Sequence, residues 1–99
     1  MKIKILGREY EVEFIDEPNG LDTRYGGRVF FRTEEIKILN QLTDRLKNIG
    51  ILHEIIHVID DATGMELEEN QVKILAELLY SVLKVNNIVI DFLNNKKGI

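Results

Sequence analysis

The sequence contains no cysteine. Disulfides and thiolate metal sites are therefore excluded, and any bound metal must be held by His, Asp or Glu. No apolar run approaches the ~20 residues of a membrane span. The first residues, Met1-Lys2-Ile3-Lys4, place charges inside the first apolar stretch, unlike a secretory signal. A cytoplasmic setting is the expectation. A basic stripe is also missing. Of 99 residues, 13 are Lys or Arg and 17 are Asp or Glu, for a net charge of −4. Phosphate recognition needs a basic face, so nucleic acid is not the expected partner. There is no internal repeat, low-complexity tract or domain linker. A single domain over residues 1–99 follows, with room for one core and little more.

What is present is patterned in two halves, strands over residues 1–40 and helices over 41–93. Apolar and charged residues alternate in Lys2-Ile3-Lys4-Ile5-Leu6 and in Glu9-Tyr10-Glu11-Val12-Glu13-Phe14. Gly7-Arg8 between them suits a two-residue type II′ turn. That turn would pair Ile5 with Tyr10, Ile3 with Val12, Lys4 with Glu11 and Lys2 with Glu13. Turn signals follow at Glu17-Pro18-Asn19-Gly20 and Tyr25-Gly26-Gly27. Arg28-Val29-Phe30-Phe31-Arg32 and Glu35-Ile36-Lys37-Ile38-Leu39 read as short strands. Thr43 or Asp44 can cap a helix running to about Thr63, with Gly64 as its stop. Its expected core stripe is Leu46, Ile49, Leu52, Ile56 and Ile59. A second helix starts near Leu67-Glu68-Glu69 and continues through Val72, Leu75, Ala76, Leu79 and Val82 to about Lys84. A short helical piece is expected over Ile88 to Leu93, and residues 94–99 form a polar, basic tail. The fold class is α+β: a small twisted sheet of three or four strands, then helices.

The chemistry concentrates in His53-Glu54-Ile55-Ile56-His57. These are the only two histidines in the chain. Four residues make about one helical turn, so both imidazoles project from one face, about 5–6 Å apart at Cβ. From there both can reach one tetrahedral ion at about 2.0–2.1 Å. Glu54, one step round the helix, can lean over an open coordination position. It can take a proton from a water on the metal and pass it to a leaving amine. Two neutral histidines leave a divalent ion with its full charge, so a carboxylate is expected as third ligand. Glu69 and Glu77 on the next helix are the candidates. Glu69 precedes Val72 and Ala76 by three and seven residues and so borders the core face. Glu77 lies about 100° round from Ala76 and can border that face from the other side. The plainer alternatives are a solvated surface glutamate in each case and, for the histidines, an amphipathic helix that carries them half-buried or in solvent.

The stretch His53-Glu54-Ile55-Ile56-His57-Val58-Ile59-Asp60 resembles the active-site helix of gluzincin metallopeptidases. Glu69-Asn70-Gln71-Val72-Lys73-Ile74-Leu75-Ala76 resembles their glutamate helix. The length and the order of strands, then helices, are most like the minigluzincins, minimal stand-alone zincin catalytic domains. The resemblance covers roughly residues 36 to 86. It implies a zincin-like fold with an active-site helix, a glutamate helix and a short C-terminal helix. It implies Zn²⁺ on His53, His57 and Glu69, with Glu54 as general base and acid. Lys73 stands where the family pattern has an acid or amide, which removes an expected partner of the ligands. The resemblance also implies a rim strand that binds an extended peptide by strand addition. Glu35-Ile36-Lys37-Ile38-Leu39 is the expected rim strand. Tyr80 or Tyr25 could supply an oxyanion donor, although either is more often a packing residue.

The reading is therefore a zinc-dependent endopeptidase acting on a peptide or protein substrate, either active or latent. Latency would come from a terminal segment in the cleft, such as Lys96-Lys97-Gly98-Ile99, or from self-association over it. The alternative is a zincin-like regulatory or interaction module that holds metal but turns over little. Glu54 separates the two, because a purely structural zinc site does not need it.

Overall fold

The computed structural model describes residues 1–16 and 26–88. Four strands precede two helices: β1 (Lys2–Ile5), β2 (Arg8–Ile15), β3 (Gly27–Phe30), β4 (Glu35–Leu39), α1 (Asp44–Thr63) and α2 (Glu69–Val85). The fold is a small α+β domain whose one sheet has the order β1-β2-β4-β3. β2 and β4 run parallel, and the outer pairs are antiparallel. The expected piece from Ile88 to Leu93 runs outside the described residues after Ile88, and the tail, Tyr25 and the Glu17-Pro18-Asn19-Gly20 turn lie outside them entirely. Among the described residues, no helix is long and apolar enough to cross a membrane.

The first hairpin forms with a different turn from the one expected. Leu6 and Gly7, not Gly7 and Arg8, are its central residues, with φ of 49° and 81°. Two positive φ values make a primed turn whose twist suits an antiparallel pair. Ile5 therefore faces Arg8, Ile3 faces Tyr10, Lys4 faces Glu9 and Lys2 faces Glu11. The register differs by two residues from the expected one, and an even shift leaves every side chain on its own face. The shift frees the Val12 N–H to bond the Met1 carbonyl at 2.7 Å. It also brings the terminal ammonium of Met1 to Glu11 at 2.7 Å.

The inner face of the sheet carries Ile5, Tyr10, Val12, Val29, Ile36 and Ile38, all buried. α1 packs across it with Ile51 and Val58, flanked by Ile55 and Ile59. Thr43 caps α1 by accepting the Leu46 N–H, and Gly64 ends it in the left-handed region with φ of 68°. The expected single core stripe of α1 resolves into two. Ile49, Leu52 and Ile56 face α2, where Ala76 and Tyr80 meet them. Ile59 joins the sheet side, and Leu46 is exposed. α1 is covered on both sides, so a second stripe, Ile51-Ile55-Val58, was needed for the sheet.

Among the described residues, α2 packs on α1 alone. It opens with a capping box in which Gln71 accepts the Glu68 N–H at 2.8 Å. Of its expected core residues, Val72 and Ala76 are buried, but Leu75, Leu79 and Val82 are exposed. One neighbour can cover only one arc of a helix. The α1–α2 link is fixed by Asp60, whose Oδ1 accepts the Leu67 N–H at 3.0 Å.

Candidate metal centre

α1 carries His53 and Glu54 in its most enclosed stretch, at 4% and 3% exposure. His57, one turn on, is less enclosed. The two imidazole centroids are 5.0 Å apart with their planes tilted by 60°, as the four-residue spacing requires. Glu69, in the first turn of α2, reaches across to both rings. Its Oε1 lies 2.5 Å from His53 Nε2 and its Oε2 2.9 Å from His57 Nε2. These three residues form a donor cluster whose ligand atoms all lie within 4.8 Å of one another.

This donor set fits a zinc ion. Two ligands at about 2.0–2.1 Å from a tetrahedral ion stand about 3.3 Å apart, between the 2.5 and 2.9 Å contacts of Glu69 and the 4.8 Å outer limit of the cluster. The protonation states suit it as well. Burial pushes His53 below its ordinary value, outweighing the opposing pull of Glu69. Its imidazole is thus neutral near pH 7 and donates Nε2–H to the carboxylate. A cation would replace that proton between the two groups. Two neutral imidazoles and one carboxylate would leave a divalent ion with one net positive charge.

Glu54 sits beside the cluster and not in it. Burial pushes its carboxyl up to about 8, and the Glu69 charge adds to the rise. The Val29 backbone N–H, which donates to it, and the Arg28 charge pull in the other direction. The Val29 contact follows from the ladder. Leu39 N–H bonds the Gly26 carbonyl at 2.8 Å, which makes Gly26–Leu39, Arg28–Lys37 and Phe30–Glu35 the hydrogen-bonded pairs of this antiparallel ladder. The main-chain groups of Gly27 and Val29 therefore point outward, away from β4. Gly27 has the further role of closeness. A Cβ there would lie 2.7 Å from Ile38 Cδ1, 3.0 Å from the Lys37 carbonyl and 3.6 Å from Glu54 Oε2.

The other candidates fall elsewhere. Glu77 stands outside the donor cluster and pairs with Lys73 at 3.7 Å on the exposed side of α2. Its charge still favours protonation of His53, by an electrostatic attraction weaker than the influences of burial, Glu69 and His57 on that ring. Lys73, where the family pattern has an acid or amide, is thus engaged with Glu77. Tyr80 packs in the α1–α2 core cluster with Ile49, Leu52 and Ile56. The expected rim strand Glu35-Ile36-Lys37-Ile38-Leu39 is β4, and it is interior, paired with β2 on one side and β3 on the other. Among the described residues, the edge strand beside Glu54 is β3. Its antiparallel return through Phe31 to Glu34 places it outside β4, and nothing in the residue pattern of either strand distinguishes the two. The sequence also left Val29 and Gly27 unmarked, because one acts through its main chain and the other through a missing side chain. Comparison with models of protein families, with curated proteins and with solved structures returns no match.

Proposed function

We propose that this chain is a zinc-dependent endopeptidase of gluzincin type, with a zincin-like fold. The observation that carries the reading is the convergence of His53, His57 and Glu69 beside a buried Glu54 that is not among the three donors. A structural site would need the first three alone. His53, His57 and Glu69 would hold the ion, which supplies Lewis-acid polarisation of the scissile carbonyl and of water.

The chain's own groups do the rest. Glu54, as carboxylate, takes the proton of the attacking water and returns it to the leaving nitrogen. Its raised titration point suits a group that must both accept and release a proton near neutrality. The Val29 N–H holds the carboxylate oxygen in place and favours the charged form. The outward main-chain groups of Gly27 and the Val29 carbonyl offer an extended substrate an edge to pair with, so β3 takes the rim role. The alternative is a metal-holding regulatory module with little turnover. The same burial favours it, because a carboxyl that titrates at about 8 is mostly protonated at pH 7.

Elemental analysis tests the reading first. One zinc per chain is expected, lost in His53→Ala and Glu69→Ala and kept in Glu77→Ala and Glu54→Gln. A peptide library should then be cleaved by the wild type and not by Glu54→Gln. No zinc, even after loading, would end the metal reading. Zinc without cleavage would select the regulatory module.

A further inference from the structure

α2 is apolar on two sides and, among the described residues, covered on one. Val72 and Ala76 are buried against α1. On the far side Leu75, Leu78, Val82 and Val85 follow at steps of three, four and three, flanked by Ile74 and Leu79. Their exposure runs from 44% at Leu79 to 76% at Val85. Scattered single apolar residues are ordinary on a monomer, but a continuous stripe of large ones marks an interaction surface. A helix that is apolar all round belongs in a buried position.

We propose that this stripe is a self-association surface, on which the same face of a second copy of the chain packs helix against helix. Three observations select that occupant. The three-four spacing is the seam repeat of two helices packed at a shallow angle. The charged residues of α2, Glu69, Lys73, Glu77 and Lys84, all fall on the other half of the helix at about 100° per residue. In a chain that is 30% charged, half the helix surface is therefore free of charge. A twofold contact sets each residue near its own kind, so a charge in the seam would face its like. A neutral face meets that condition, and it gives an acidic or basic partner nothing to pair with. It is also where two chains of net charge −4 can approach with least repulsion.

The competing occupant is the segment 89–99, which lies outside the described residues and is separated from a second copy by the test below. The stripe lies away from Glu69, so this inference does not rest on the metal reading.

Sedimentation velocity on the full chain, without added metal and over a wide concentration range, tests it. The expected result is a species of twice the chain mass that dissociates on dilution. Leu78→Glu and Val82→Glu should each weaken association by more than about a hundredfold, since each would bury a charge against its twin. Phe31→Glu, an exposed apolar position in the β3–β4 turn, should leave association unchanged. Circular dichroism checks that the variants keep their helix content. If either glutamate variant unfolds, Leu78→Ser replaces it and should still weaken association, because it removes buried apolar area from both copies. A wild type that stays monomeric throughout would overturn the proposal and assign the stripe to residues 89–99 or to another protein. A dimer that survives both folded variants would overturn it too.

Discussion

α1 and α2 are neighbours of similar length, and both are apolar on two sides. Yet α1 lies between the sheet and α2, whereas among the described residues α2 touches only α1. The difference shows in what each helix can hold. α1 buries Asn48, His53 and Glu54 within a few residues. A buried polar group is costly unless it is paired, and a buried ionisable group shifts its titration. α2 contributes one ligand, Glu69, from a half-exposed first turn. The candidate centre therefore joins a firmly held pair of imidazoles to a carboxylate on the more loosely held helix. Strength of covering, more than helix propensity, sets where the chemistry can be tuned.

The first way to break this comparison is truncation. Ile51→Ala in α1 removes a fully buried side chain between helix and sheet. It should cost about 3–4 kcal/mol in urea unfolding of the metal-free protein. Val72→Ala, the matching fully buried position in α2, should cost about 1–2 kcal/mol, because fewer groups are lost. Equal costs would mean that α2 is as tightly held as α1.

A second effect is tied to the burial of Glu54. Its carboxyl titrates at about 8 when folded, against an ordinary value of 4.5. Between those limits the folded state binds more protons than the unfolded one, so stability must fall as pH rises. The metal-free protein should lose on the order of 3 kcal/mol from pH 4.5 to pH 8 through this group. His53, held below its ordinary value of 6.5, acts in the other direction. Its contribution grows as pH rises towards 6.5. The difference between wild type and Glu54→Gln in urea unfolding at several pH values isolates the glutamate. A constant difference across that range would show that Glu54 is not buried as described.

Much of this was legible in the sequence, and what was not had a physical reason. Alternation gave the faces of the hairpin but not its register. A shift of two residues preserves every face, and Gly7 can serve as either central residue of the turn. The caps of α1 at Thr43 and Gly64 are local and could be read directly. Its two-sided burial could not, since Ile49-Gly50-Ile51-Leu52 is apolar without a break and a stripe does not name its neighbour. Periodicity likewise marked Leu75 and Val82 as apolar without saying which arc of α2 is covered. The pairing of His53 and His57 is set by one helical turn. Bringing Glu69 to them depends on the α1–α2 link, where Asp60 caps Leu67. Which of β3 and β4 forms the edge depends on a parallel pairing with β2 that no local pattern encodes.

Metal addition sharpens the comparison next. A ligand that binds only the folded state at 100 times its Kd stabilises it by about 2.7 kcal/mol. Zinc should do so here, and it should do so unevenly. Hydrogen exchange of the metal-free protein should be faster in the first turns of α2 than in the middle of α1. Zinc, by joining Glu69 to His53 and His57, should slow exchange at the start of α2 the most. Glu69→Gln should remove most of that slowing. Uniform slowing of both helices would mean that α2 was already held as firmly as α1.

The smallest expected effect concerns Gly27, where the sheet edge comes closest to α1. Alanine there places a Cβ against Ile38 Cδ1, which can turn aside, and against the Lys37 carbonyl, which cannot. Overpacking of this kind should cost about 1–2 kcal/mol. Relief should come from β3 moving outward, and that motion carries the Val29 N–H away from Glu54. The Val29 bond is one of the two influences that lower the Glu54 titration point. Gly27→Ala should therefore raise that point further, measurable by carboxyl NMR titration of the metal-free protein. A destabilised variant with an unmoved Glu54 titration would separate the fit of β3 from the Val29 contact. The edge would then position the strand without tuning the carboxyl.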